Sequence, residues 1–241
     1  MKRRFYSITS VFILLFIIIS ILLSYHVINV MNHQESNVLT VAIDAGHGGF
    51  DPGKVGINNS LEKNINLSIA YKLKNYLEQN DISVLMTRKE DKGLYKESDR
   101  NRKLADMQKR VTIINSSKAL IAISIHQNSF TQENVKGAQV FYYQNSVEGK
   151  KLAEILQESL NTSLDNGKDR VAKSNSSYYL LIHTDRPLVI VECGFLSNRE
   201  EANRLCDDLY QEKIALAINT GVIEYIYEYN NKNKALQIVK E

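Results

Sequence analysis

The chain has 241 residues, with 30 Lys and Arg against 27 Asp and Glu and an apolar fraction of 44%. This length fits one domain with accessory segments, and the apolar content is ample for a core. The near balance of charge excludes the strongly basic surface of a dedicated nucleic-acid-binding protein. Cys193 and Cys206 are the only cysteines, too few for a disulfide framework or a thiolate metal site. We therefore expect buried or free thiols, with a single disulfide bridge as the alternative.

The N-terminal segment, residues 1–25, predicts export from the cytoplasm. Three basic residues at positions 2–4 precede an uncharged apolar run over residues 5–23, close to the roughly 20 residues that span a bilayer. The positive-inside rule places the rest of the chain outside the cytoplasmic membrane. No small-x-small cleavage pattern follows the run, which favours an uncleaved membrane anchor over a removed signal peptide. Polar residues 26–37 predict a tether.

Strand and helix patterns alternate over residues 38–227. The β-branched run at residues 38–43 predicts a strand that opens into a glycine-rich loop. Apolar residues at helical spacing predict a helix over residues 61–79. Further strands are predicted at residues 82–87, 119–125, 137–143 and 187–191. Further helices are predicted at residues 104–114, at residues 152–160 and, in one or two pieces, at residues 199–227.

This alternation predicts a single α/β domain whose central sheet has about six mostly parallel strands, with helices on both faces. The strand at residues 119–125 is almost wholly apolar, as expected for a central strand that is covered on both faces. Residues 228–241 form a polar tail, which we expect to be disordered from residue 230 onward.

Three predicted strands are followed by a residue that binds metal or moves protons: His47, His126 and Glu192. Ligands in open α/β sheets bind beyond the carboxyl ends of the strands, so we expect the three side chains to converge. Glu62, at the start of the first predicted domain helix, adds a carboxylate. Two imidazoles and a carboxylate are a recurrent catalytic zinc set, and this leaves Glu192 as a candidate base.

Each of these residues also has a simpler explanation. His47 could be an ordinary loop histidine, and His126 a core histidine with satisfied hydrogen bonds. Glu62 follows Asn59 by three residues and could complete a helix capping box. Glu192 could be an ion-paired carboxylate at a strand end. One shared site explains all four residues at once, so we favour it.

Four short sequence blocks contain these residues. They are Asp44-Ala45-Gly46-His47-Gly48-Gly49, Leu61-Glu62-Lys63, Ser124-Ile125-His126-Gln127-Asn128 and Val191-Glu192-Cys193-Gly194-Phe195-Leu196-Ser197-Asn198. In composition, order and spacing they resemble the signature blocks of the N-acetylmuramoyl-L-alanine amidases of the Amidase-3 family, and the resemblance covers residues 38–227.

The resemblance implies an enzyme that hydrolyses the amide bond between N-acetylmuramic acid and L-alanine in peptidoglycan. His47, Glu62 and His126 match the family's zinc ligands, which implies one Zn²⁺ per chain, and Glu192 matches its catalytic glutamate. Asn128 is a weaker candidate for contacting substrate.

Other positions match the family less specifically. Thr87-Arg88 and residues 110–115 also resemble family positions, with a structural or substrate-contacting role. Cys193 stands where a small aliphatic residue is usual, and we interpret it as a packing residue. No long insertion separates His126 from the strand at residue 137, which predicts an open site without a blocking helix.

An N-terminal apolar segment followed by a lone catalytic domain most resembles the sporulation amidases of the CwlD type, which trim stem peptides in the spore cortex as the first step to muramic-δ-lactam. This implies a location outside the membrane around the developing forespore, and it is compatible with dependence on an activating sporulation protein. Two alternatives remain: a vegetative amidase for wall turnover or cell separation, and a catalytically dead wall-binding module that acts as an activator or scaffold.

Overall fold

The computed structural model describes residues 2–35, 39–164 and 169–238. The chain divides into two compact units, Met1–Val38 and Leu39–Glu241. The first contains helix α1 (Lys2–Glu35), in which the 19-residue segment Ser10–Ile28 has a mean hydropathy of 2.8 and no buried residue. This segment is long and apolar enough to cross a membrane, and a signal sequence would meet the same criteria.

Helix α1 continues through residues 26–35, where the sequence predicted a polar tether. The segment from residue 2 to residue 35 contains neither Gly nor Pro, so nothing in it stops a helix. Residues 36 and 37 of the predicted tether lie outside the described residues.

The second unit contains a six-stranded sheet in the order β2-β1-β3-β6-β4-β5. The strands are β1 (Thr40–Ala45), β2 (Ser83–Met86), β3 (Ile121–Asn128), β4 (Gln139–Tyr143), β5 (Lys173–Asn175) and β6 (Leu188–Phe195). Only the β4–β6 pair among them is antiparallel. The predicted mostly parallel sheet of about six strands is therefore confirmed.

Helices cover both faces of this sheet, as predicted. They are α2 (Glu62–Gln79), α3 (Arg102–Asn115), α4 (Val147–Ser163), α5 (Tyr179–His183), α6 (Arg199–Leu205) and α7 (Asp208–Ile238). The larger core joins apolar residues of α2, α4 and α7 to one face of the sheet, for example Leu73, Leu156 and Ile218. A smaller core on the other face contains Ile114 of α3 and Leu181 of α5.

The structure differs from the sequence prediction in three respects. Strands β3 and β6 run on to Asn128 and Phe195, so His126 and Glu192 lie inside strands rather than after them. The short elements β5 and α5 were not predicted. Helix α7 extends to Ile238, so the expectation of a disordered tail is wrong for residues 230–238, while residues 239–241 lie outside the described residues.

Candidate metal centre and active site

Parallel strands bring the predicted residues to one edge of the sheet. Strands β1, β3 and β6 are neighbours, and His126 is paired directly with Glu192 across the β3–β6 ladder. The loop after β1 carries His47, and Glu62 is the first residue of α2. The residue that caps α2 is Leu61, which makes no side-chain cap hydrogen bond. The capping-box explanation of Glu62 is therefore wrong.

His47, Glu62 and His126 form a compact cluster whose candidate ligand atoms all lie within 4.8 Å of one another. Glu62 Oε1 is 3.1 Å from His47 Nε2 and 3.0 Å from His126 Nδ1. Burial alone would raise the pKa of Glu62, but its contacts with His126 and His47 hold that pKa well below its usual range. An ionised carboxylate between two imidazoles is a donor set that fits a divalent metal such as zinc, with one position left open.

Further contacts hold His47 and Glu62 in place. His47 Nδ1 lies 2.9 Å from Asp51 Oδ2, an arrangement that fixes the ring so that Nε2 faces Glu62. Glu62 Oε2 accepts a hydrogen bond from the main-chain N–H of Lys54 at 2.7 Å. Glu62 Oε1 also accepts one from the N–H of Gln127 at 3.1 Å. The cluster is therefore held in place by hydrogen bonds of the protein itself.

Two buried guanidinium groups, Arg88 and Arg110, hold the loop that carries His47; we call them the arginine clamp. Arg110 donates to the carbonyl oxygens of Ala45 and His47 at 2.7 and 2.6 Å. Arg88 donates to those of Ala45 and Gly46 at 2.8 and 3.0 Å. Since His47 has a φ of 63°, a left-handed conformation that non-glycine residues rarely adopt, the clamp stabilises a strained ligand loop. These contacts favour the structural role for both arginines.

Asp44, on strand β1, is the buried partner of Arg110 in the clamp. It is fully buried and accepts hydrogen bonds from Arg110 at 2.7 Å, Thr87 at 2.6 Å and Ser124 at 2.7 Å. Burial would raise the pKa of Asp44, but Arg110 and the two hydroxyl groups outweigh it and lower the pKa to about 2. Asp44 is therefore a paired structural carboxylate.

Glu192 is also buried, but unlike Asp44 it has a carboxyl oxygen without a hydrogen-bond partner in the part of the chain that the structure describes. It is only 8% exposed, and its Oε2 atom is buried without a hydrogen-bond partner among the described residues. Burial raises the pKa of this carboxyl to about 7, against the opposing effect of His126. A carboxyl group that is free of protein partners and titrates near neutral pH is suited to accept and return a proton. Glu192 forms no ion pair with any residue that the structure describes, so the ion-pair explanation is not supported.

One cavity of about 550 Å³ joins these groups. Besides the four predicted residues, its lining includes Lys54, Lys103, Asn128 and Tyr178. Asn128 is the last residue of β3 and its Oδ1 atom accepts a hydrogen bond from the N–H of Ser129, so its contact with substrate stays a prediction. Residues 129–138, all of them described, form an irregular loop that contains no helix.

Sequence reasoning missed Asp51, Asp44 and Lys54 as parts of the site. Asp51 follows His47 by four residues in the same loop, and this short spacing is the one signal that could have identified it. The thiols agree with expectation: Cys193 and Cys206 are free, and Cys193 is fully buried in the larger core. Cys193 is thus a packing residue, as interpreted from the sequence.

Comparisons with known proteins point to one family. The family model described as N-acetylmuramoyl-L-alanine amidase, Amidase-3, matches residues 41–224. The germination-specific N-acetylmuramoyl-L-alanine amidase of Bacillus subtilis is 38% identical over 191 residues, which cover 78% of this chain and 80% of that protein.

Solved structures agree with this match. The CwlD amidase of Clostridioides difficile, solved in complex with the GerS lipoprotein, is 39% identical with a TM-score of 0.76 and covers 78% of this chain and 98% of that one. An N-acetylmuramoyl-L-alanine amidase of Clostridium difficile 630 is 31% identical with a TM-score of 0.71 and covers 79% of this chain and 97% of that one.

Proposed function

The chain belongs to the Amidase-3 family of N-acetylmuramoyl-L-alanine amidases, and from this membership we propose that it is a zinc enzyme that removes stem peptides from spore-cortex peptidoglycan. One observation carries the catalytic part of the proposal. The His47–Glu62–His126 cluster and the unpartnered carboxyl of Glu192 line the same cavity.

In this proposal His47, Glu62 and His126 hold one Zn²⁺. A zinc ion supplies Lewis acidity, which polarises a carbonyl group and makes water more acidic. The protein's own contribution is a pre-formed ligand set: Asp51 orients the His47 ring, and the arginine clamp fixes the loop. Such supporting contacts are a large part of metal affinity.

Glu192 is the proposed proton carrier. The oxygen of one water molecule adds to the lactyl carbonyl carbon, and Glu192 accepts the proton that this water loses. The carbon–nitrogen bond then breaks as Glu192 returns the proton to the alanine nitrogen. The products are a lactyl carboxylate on the glycan and a stem peptide with a free L-alanine amino group. We propose that Asn128, at the cavity wall, contacts the substrate beside this bond.

The spore-cortex part of the proposal rests on the relatives. The Bacillus subtilis protein is named a germination-specific amidase, and the Clostridioides difficile structure is a CwlD amidase. Because the latter is solved with a lipoprotein, we also propose that this chain acts with an activating protein partner. Helix α1, with its 19-residue apolar segment, would place the enzyme at the outer face of the membrane that surrounds the forespore.

Two measurements test this proposal. The purified full chain in detergent, loaded with zinc, should release peptides with free L-alanine amino groups from denuded peptidoglycan, alone or with a sporulating-cell extract. A strain that lacks the gene should make spores whose cortex contains no muramic-δ-lactam. If such spores have normal muramic-δ-lactam while the purified enzyme is active, the enzyme acts in vegetative wall turnover instead.

A further inference from the structure

Lys54 is fixed against the metal ligand Glu62 by its main chain. Its N–H donates to Glu62 Oε2 at 2.7 Å, and its carbonyl accepts from the N–H of Glu62 at 3.0 Å. The preceding Gly53 has a φ of +69°, and a Cβ atom there would lie 2.5 Å from Glu62 Oε2. The main chain of Lys54 is therefore fixed beside Glu62, and Lys54 is exposed and lines the cavity.

The ammonium group of Lys54 does not help to hold the fold together. Within the described part of the chain it makes neither a hydrogen bond nor an ion pair. The other cations of the cavity wall are neutralised: Arg110 contacts Asp44 and Asp106, and Lys103 lies 3.7 Å from Asp51. Lys54 lines the same cavity as Glu62 and Glu192. A free positive charge thus lies beside the reacting groups.

The bond to be cut does not require this charge, because the lactyl carbonyl and the alanine nitrogen belong to a neutral amide. The next residue of the stem peptide is different. In peptidoglycan it is a D-glutamate joined through its side chain, and its α-carboxyl is either a free carboxylate or an amide. Consecutive residues lie only about 3.8 Å apart, well within the reach of a flexible four-carbon lysine side chain.

We propose that Lys54 binds the free α-carboxylate of the second stem-peptide residue and makes the enzyme selective for stem peptides in which this group is not amidated. This inference rests on the proposed amidase function and names a feature of its substrate. Lys54 positions the peptide and takes no part in bond cleavage. An exposed charge pair of this kind changes a rate constant by about fivefold.

The inference is tested by assaying the zinc-loaded full chain with two synthetic tetrasaccharide muropeptides. The two substrates differ only in the α-carboxyl group of the second stem-peptide residue, which is a free carboxylate in one and an amide in the other. The wild-type protein should cleave the carboxylate form with a kcat/KM about fivefold above that of the amide form, mainly through KM. Lys54→Met should abolish this preference, because it lowers kcat/KM for the carboxylate form more than for the amide form. Lys54→Arg should retain it.

Lys103→Met is the matched control, because it removes a cation from the same cavity wall that already has an acidic neighbour. Lys103→Met should change kcat/KM for the two substrates by the same factor. The inference is overturned if Lys54→Met slows both substrates equally, which would indicate an effect on Glu192, or if the preference depends on Lys103 instead. Failure of the proposed function gives a different result, since the wild-type protein would then cleave neither muropeptide.

Discussion

Two groups of buried charges lie at the same edge of the sheet, and they differ in how completely they are paired. In the first group, Asp44 is paired with Arg110, and the arginine clamp donates to the carbonyl groups of the loop that carries His47. In the second group, the Oε2 atom of Glu192 has no hydrogen-bond partner among the described residues. A paired charge holds a structure in place, whereas an unpaired buried carboxyl costs stability and indicates a chemical role.

The pKa values of the two carboxyls show the same contrast. Burial acts on both, but Arg110 and two hydroxyl groups lower the pKa of Asp44 to about 2. The pKa of Glu192 remains raised, at about 7. Asp44 is thus ionised at every physiological pH, while Glu192 is able to exchange a proton. Substitutions in the two regions should therefore have different effects.

The largest effect should come from the metal centre itself. His126→Ala removes one of three proposed ligands, and we expect bound zinc to be lost and activity to fall by more than about 10⁴-fold, the equivalent of roughly 5.5 kcal/mol. Metal analysis and peptide release measure the two quantities. His183→Ala, at the end of α5, is the matched control and should retain both. A zinc-containing, active His126→Ala protein would remove His126 from the ligand set.

Glu192→Gln should separate chemistry from metal binding. We expect peptide release to fall by about 10²- to 10⁴-fold, the usual contribution of a general acid–base group, while zinc content and melting temperature are retained. Glu201→Gln is a useful comparison, because Glu201 is also buried but accepts hydrogen bonds from the N–H groups of Gly137 and Phe195. It should lower stability more than it lowers the rate of the chemical step. Loss of zinc from Glu192→Gln would contradict the assignment of Glu192 as the base.

Arg110→Met should lower the stability of the fold, in contrast to Glu192→Gln, which should lower the rate of peptide release. It leaves Asp44 as an unpaired buried charge, and we expect the free energy of unfolding to fall by about 3–5 kcal/mol. Chemical denaturation of the metal-free protein measures this change. The double variant Asp44→Asn with Arg110→Met removes both charges and should recover part of the loss. If the double variant is as unstable as the sum of the single variants, the two residues are not coupled.

Asp51→Asn should give the smallest of these effects. The substitution weakens the contact that orients His47, and we expect zinc affinity to fall by about 10- to 100-fold with the fold intact. Competition with a zinc-binding dye measures the affinity. Asp208→Asn, which changes a carboxylate that contacts Lys72 at the surface, is the control and should leave zinc affinity unchanged. Equal zinc affinities for Asp51→Asn and the wild-type protein would show that the loop does not need this contact.

The contrast between the two regions also explains what the sequence could predict. His47, His126 and Glu192 were identified because each follows a strongly apolar strand pattern, and parallel strands bring such positions to one edge. The ion pair between Asp44 and Arg110 joins residues 66 positions apart, and no local pattern specifies such a contact. Lys54 was missed because its place beside Glu62 depends on main-chain hydrogen bonds of an irregular loop.

The sequence also failed to predict two short elements and the end of α7, for reasons that can be named. Strand β5 has three residues and helix α5 has five, both too short to produce a recognisable period. The C-terminal residues of α7 were expected to be disordered because they are polar. Their helix is instead supported by Lys232, which donates to Glu148 of α4 at 3.0 Å. These residues also continue a helix that packs against the larger core up to Tyr229, and a local reading of the polar sequence does not show this.

Metal analysis of the purified full chain, combined with end-group analysis of the peptides that it releases from denuded peptidoglycan, tests the central claim most directly. The account predicts one zinc ion per chain, peptides with new free L-alanine amino groups, and loss of release on chelation that added zinc restores. Undiminished release by the metal-free protein, or products with a different new end group, would contradict it.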